Sequence, residues 1–167
     1  MNRHITLALG TMALLGLGVA LPGAAFAQQK TLKEAIVGTW TMTSVYEQRE
    51  DGKRNDPFGA GAKGQYVFGT DGSYTLTIIG EPRADMKSDN PRRPDAYVVV
   101  TSGRYTVDEA KKTIMYKVER AGNSMRIGTD SSDVVSISGD VASFVGSSRK
   151  DQDGTFSPHS EAKRSKC

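Results

Sequence analysis

Past residue 27 the chain holds one histidine, His159, in the polar stretch SPHSEAKR, and one cysteine, Cys167, its last residue. Nucleophilic catalysis needs a serine or thiol held beside an imidazole that a carboxylate in turn orients. No spacing around His159 singles out such a partner, so no catalytic residue is assigned. Asp151-Gln152-Asp153-Gly154 resembles the start of a calcium loop, but its glycine comes too early and the closing bidentate glutamate is missing. It reads as a hairpin turn, and Asp130 to Asp133 as another. Zinc-ligand spacing and a phosphate-cradling glycine loop are also missing, so neither metal nor cofactor is expected. What the chain supplies instead is phenol and apolar surface. Tyr46, Tyr66, Tyr74, Tyr105 and Tyr116 each stand in an alternating run, with Phe68 and Leu76 among them. Rings with a few hydroxyls are the usual lining of a small-molecule site.

The elements that must position those rings follow from period-two patterning. In the stretch IVGTWTMTSVYEQ, Trp40, Met42, Ser44 and Tyr46 share one face, with Thr41, Thr43, Val45 and Glu47 opposite. QYVFGT (65–70), SYTLTII (73–79), YVVVTSGRYTV (97–107) and TIMYKVE (113–119) alternate likewise, and further strands are expected over 133–138, 140–146 and 155–163. Gly103 marks a bulge or bend. Asp71-Gly72, Gly139-Asp140 and Asp153-Gly154 are two-residue hairpin signals. Leu32 to Val37 is expected to form a short helix and Asp108 to Lys112 one helical turn. Seven or eight short strands in consecutive hairpins imply an all-β chain, an up-and-down antiparallel barrel of about eight strands or a sandwich. The predicted inward set is Trp40, Met42, Tyr46, Tyr66, Phe68, Tyr74, Leu76, Ile78, Tyr105, Ile114 and Tyr116. Arg104, out of phase with Tyr105, is expected on the surface. The segment Gly80 to Ala96, with Pro82, Pro91 and Pro94, interrupts the rhythm. It is read either as a lid over a barrel mouth or as a surface connection.

The two ends set the context. Arg3 and His4, a long apolar run and the small-x-small Ala25-Phe26-Ala27 form a secretory signal over 1–27, with an uncleaved anchor as the competing reading. The expected organisation is then a lead-in over 28–35, a barrel over 36–163 and a polar tail over 164–167. An exported domain with a single cysteine has no internal disulfide and must rest on its apolar core. The net charge of +3 is spread among interspersed charges of both signs, without the clustered Lys and Arg that nucleic-acid binding wants. The expected product is periplasmic or extracellular, without stable membrane insertion after cleavage, and a monomer, a dimer being the alternative.

Gly38-Thr39-Trp40 lets the chain bend into its first strand and then lays an indole across one end of the core. The ordered set Val37-Gly38-Thr39-Trp40, Asp51-Gly52-Lys53, Pro57-Phe58-Gly59, Lys63-Gly64 with Tyr66, Thr70-Asp71-Gly72 and Gly103-Arg104-Tyr105-Thr106-Val107-Asp108 resembles the lipocalin-like domain family over about Ile36 to Val145. The chain departs from that family in the proline- and charge-rich 80–96 segment, where the family has a helical insert. The resemblance implies a barrel whose floor is Gly38 and Trp40, with a basic side chain packed on the indole; Arg149 is a candidate for that cation. It carries over no catalytic residue. The resulting expectation is a binding protein for a small apolar or amphipathic molecule, held by Tyr46, Tyr66, Phe68, Tyr74, Leu76, Tyr105 and Tyr116. Alternatives are a small isomerase or cyclase using an interior tyrosine, and a protein-interaction module whose barrel is filled by its own side chains.

Overall fold

The structure is a computed structural model that describes residues 30–84 and 97–166. Residues 1–27, read above as a signal, most of the 80–96 segment and Cys167 lie outside the described residues. A five-residue helix, α1 (Leu32–Ile36), precedes ten strands: β1 (Gly38–Arg49), β2 (Arg54–Asn55), β3 (Lys63–Phe68), β4 (Ser73–Ile79), β5 (Val98–Asp108), β6 (Thr113–Ala121), β7 (Asp130–Ser138), β8 (Val141–Gly146), β9 (Arg149–Asp151) and β10 (Gly154–Arg164). Each strand pairs antiparallel with its neighbours, and β1 pairs with β10 from Trp40↔Arg164 to Arg49↔Phe156. That last ladder closes eight strands into a barrel. The short β2 and β9 are the remaining two; each extends one edge beside the long ends of β1 and β10 at the mouth.

The alternation read in the sequence becomes the inside and outside of this barrel. Trp40, Met42, Tyr66, Phe68, Tyr74, Ile78, Tyr105, Ile114 and Tyr116 are all buried, and Leu76 packs against them. Arg104 is exposed, 3.7 Å from Asp71. Gly103 is required where it stands: the β5–β6 register shifts between Ser102 and Gly103, and a Cβ there would lie 2.0 Å from the Lys117 carbonyl oxygen.

Trp40 is fully buried at the floor. Its Nε1 donates to the Ile36 carbonyl (2.7 Å), which ties it to α1. Truncating a buried ring of this size typically costs about 3–5 kcal/mol. The cation over the indole is Arg164, its guanidinium carbon 4.2 Å from the ring centroid, and not Arg149, which stands at the opposite end of the barrel. Arg164 also donates to the carbonyls of Val37 (2.8 Å) and Ala35. Those carbonyls are left without intrahelical partners where α1 ends, so a charged fork there is doubly favourable. Gly38 makes room: its φ is +124°, and a Cβ would meet the Arg164 Nη1 at 3.0 Å. The last strand therefore runs through Arg164, one residue into the stretch expected to be tail.

Three further expectations are corrected. Asp108 to Lys112 is a tight turn closed by Lys112 at φ +52°, without a helical turn. Asp130 to Asp133 belongs to β7 and is not a hairpin turn. The β1 ladder slips between Met42 and Ser44, which reverses the phase of everything beyond it. Val45 then packs on the core opposite buried Ser160, and Tyr46 moves to the other face. There Tyr46 stacks on His159 (centroids 5.1 Å apart), with the Arg54 guanidinium 4.1 Å over its ring.

Candidate functional site

Above the floor the barrel is not filled. A cavity of about 200 Å3 opens toward the mouth. Its base is built from rings. Tyr66 stacks on Phe144 (4.3 Å between centroids) and Tyr74 leans on Tyr116 (4.9 Å). One side is apolar, formed by Val45, Leu76, Ile78 and Val99, with Phe58 reaching over from the 56–62 loop, while Phe156 lines the cavity next to Arg149, its partner in the β9–β10 ladder. That loop is fixed by Glu81, whose backbone N–H donates to the Phe58 carbonyl (2.8 Å) and whose carboxylate accepts from the Gly61 N–H (3.0 Å). The other side is polar: Thr101, Ser131 and Asp133 on the wall, Arg126 on the 3-10 turn Ser124–Arg126, and Arg149 at the start of β9.

Of the seven residues expected to hold a ligand, Tyr66, Tyr74, Leu76 and Tyr116 line this cavity with their inward side chains. Tyr46 borders it from β1, its ring committed to the stack with His159. Phe68 and Tyr105 lie outside the cavity, in the core nearer Trp40. Phe68 meets Tyr105 edge-on at 5.1 Å, and the Tyr105 hydroxyl donates to the Gly69 carbonyl (3.0 Å). The sequence reading passed over Asp133, Arg126 and Arg149 as cavity residues. Asp133 had a signal: DVVSIS places it on the same face as Val135 and Ile137, an acid in phase with the core.

The polar groups at the base differ in how well they are satisfied. The Tyr66 hydroxyl pairs with the Ser160 hydroxyl at 3.2 Å. The Tyr116 hydroxyl is buried and, among the described residues, has no hydrogen-bond partner. Asp133 is near enough to influence it electrostatically, yet outside hydrogen-bond geometry. Burial is the main force on both groups. It pushes the Tyr116 phenol well above its ordinary value, with the Asp133 charge adding to the rise. It also pushes the Asp133 carboxyl up, partly offset by Tyr116 and by the charge of Arg149. Burial likewise raises the Tyr66 phenol. Burial thus disfavours the charged form of each, and the cavity base sets two phenols, a serine hydroxyl and a carboxyl in an apolar shell.

Among the described residues no group of three or more acidic, His or Cys side chains is placed to hold a metal ion, and no helix is long and apolar enough to cross a membrane. The fold and cavity together define a closed eight-stranded antiparallel barrel with an interior site open at one end. No protein-family model matches the chain, and neither does any curated protein.

Proposed function

We propose that the chain is an exported, lipocalin-like binding protein that holds one small amphipathic molecule in the barrel. The observation that carries this reading is the Tyr116 hydroxyl, buried at the cavity base without a partner. An unmet buried hydroxyl costs about 1–3 kcal/mol, and a bound oxygen or nitrogen atom would recover it. The cavity volume limits the guest. Apolar cavities of about 150 Å3 accommodate a benzene ring, so about 200 Å3 suits one substituted ring or a short alkyl chain. The apolar side would take that body, and the base would take its polar atom.

The test is native mass spectrometry of the full-length chain recovered from an exporting host, with thermal shifts against phenol, 4-methylphenol and hexanol. Binding raises the melting temperature, and Tyr116→Phe reduces that rise while leaving the empty protein as stable or slightly more so. An always-empty protein that none of these probes stabilises would favour the protein-interaction alternative.

One observation favours a second reading. Asp133 and Tyr116 place a carboxyl and a phenol beside each other in one apolar pocket. A carboxylate there can take a proton from carbon next to a ligand carbonyl and return it elsewhere on the same molecule, an isomerisation that needs no co-reactant. Turnover abolished in Asp133→Asn, with binding retained, would separate this enzyme from a carrier.

A further inference from the structure

The two sides of the cavity differ in charge as well as polarity, and that difference bears on what the guest carries. Four charged side chains line the cavity: Glu47, Arg126, Asp133 and Arg149. Glu47 is already engaged, accepting from the Asn55 Nδ2 (3.1 Å) and lying 3.9 Å from Arg49. Asp133 is buried beside Tyr116 and within the field of Arg149. Arg126 is half-buried on its 3-10 turn, and among the described residues no acid stands within ion-pair distance of it or of Arg149. Arg126 lines the cavity, and its charge is felt at the Tyr74 phenol. On the polar side two guanidiniums thus stand against a single carboxyl, with an unpartnered O–H donor beneath them.

We propose that the guest is a small amphipathic carboxylate, an aryl or short alkyl acid, whose carboxylate lies between Arg126 and Arg149 above and the Tyr116 hydroxyl beneath, accepting a hydrogen bond from each. This inference rests on the binding reading above and names the chemical class. A guanidinium offers paired N–H donors that match the two oxygens of a carboxylate, and a partly desolvated site strengthens the attraction. An amine would face two cations against one carboxyl, and an alcohol would leave both guanidiniums without a bound anion. Asp133 opposes an anion only when it is ionised, and its burial disfavours that state. The apolar wall, with Phe58, Leu76 and Ile78, receives the ring or chain.

Calorimetry on the full-length protein with benzoate and hexanoate, against benzyl alcohol, hexanol and hexylamine, tests the assignment. The carboxylates bind best. Arg126→Gln and Arg149→Gln, both at the rim and outside the core, each weaken benzoate by roughly tenfold, the usual worth of a charged hydrogen bond, and leave hexanol unchanged. Circular dichroism verifies that both variants keep the barrel. Alcohols binding as tightly as acids, hexylamine binding best, or benzoate affinity indifferent to both arginines overturns the carboxylate while leaving a binding cavity in place. Failure of every probe to bind overturns both.

Discussion

Arg164 concentrates three jobs in one side chain, and its removal should show in more than one signal. It covers the floor indole, donates to two helix-end carbonyls, and lies 4.0 Å from the Asp140 carboxylate. Arg164→Met keeps much of the apolar stem but leaves the Val37 and Ala35 carbonyls unmet. The expected loss is about 2–4 kcal/mol from the cation–π contact and the charged hydrogen bonds together. Urea unfolding followed by the emission of Trp40, the sole tryptophan, measures it, and the folded emission should shift to the red. Arg164→Lys should fall between, since an ammonium keeps the charge but cannot fork across two carbonyls. A loss indistinguishable from zero would mean that β10 holds the floor without it. Asp133 makes the opposite kind of prediction. Its carboxyl is raised in the folded state, so folding holds its proton more tightly than the unfolded chain does. Its favourable contribution is complete below the ordinary value of 3.8 and is lost as pH rises through the raised folded value. Asp133→Asn should therefore melt higher than the parent at neutral pH, the gap narrowing as pH falls through the raised value and closing below 3.8. A gap that widens in acid would show that Arg149 stabilises the ionised form instead.

Among the elements, α1 is the one that should not exist on its own. Five residues are too few for an isolated helix in water. It stands because both ends are held and Leu32 and Ile36, four apart, bury one face. At its start Thr31 and Glu34 form a capping box, and the Glu109 carboxylate accepts from the Leu32 (2.9 Å) and Lys33 (2.8 Å) N–H groups. Those bonds hold Glu109 below its ordinary 4.5. Its contribution is thus present above 4.5 and lost as pH falls below it. Thr31→Ala should cost roughly 1 kcal/mol. Glu109→Gln should act in the same direction at neutral pH and lose its effect in acid, both read by chemical unfolding; equal parent and Glu109→Gln stability at neutral pH would dismiss the cap. This element also marks how far the sequence could be read. The helix, the strand faces and the hairpins were legible because each rests on local pattern. The Glu109 cap was not, because it joins residues 77 positions apart. Nor was the slip in β1, since nothing in MTSVYE announces an extra residue, and that slip alone carries Tyr46 off the inner face. Arg126 and Arg149 escaped for a related reason: they reach the cavity from a turn and an edge strand, where alternation says nothing.

For the molecule as a whole, floor and mouth are built to different standards, and this should govern how a guest enters. At the floor the closing β1–β10 ladder is backed by Trp40, Ala162, α1 and Arg164, all packed or bonded to one another. At the mouth β1 and β10 run beyond β3 and β8, flanked only by the two residues of β2 and the three of β9, all exposed. What secures that rim is largely ionic: Arg49 grips Asp151 through two bonds of 2.7 Å, with Phe156 beneath the guanidinium. The Asp151 carboxyl is drawn down to about 2, chiefly by its bond to Arg49, so this clasp persists above 3.8 and fails as pH falls toward that lower value. Exposed ion pairs contribute little to global stability, but a clasp on two marginal strands decides how often the rim opens. Local opening of this kind costs less than unfolding the barrel. Amides of β2, β9 and the 56–62 loop should therefore exchange well ahead of those in β3, β6 and β8. Asp151→Asn should speed the rim further and leave the floor untouched. A bound guest should slow the rim alone, because it joins Phe58 and Phe156 to the opposite wall. Hydrogen exchange read by mass spectrometry resolves these segments. Uniform exchange around the barrel, or protection by the guest that appears first at Trp40, would place the entrance at the other end.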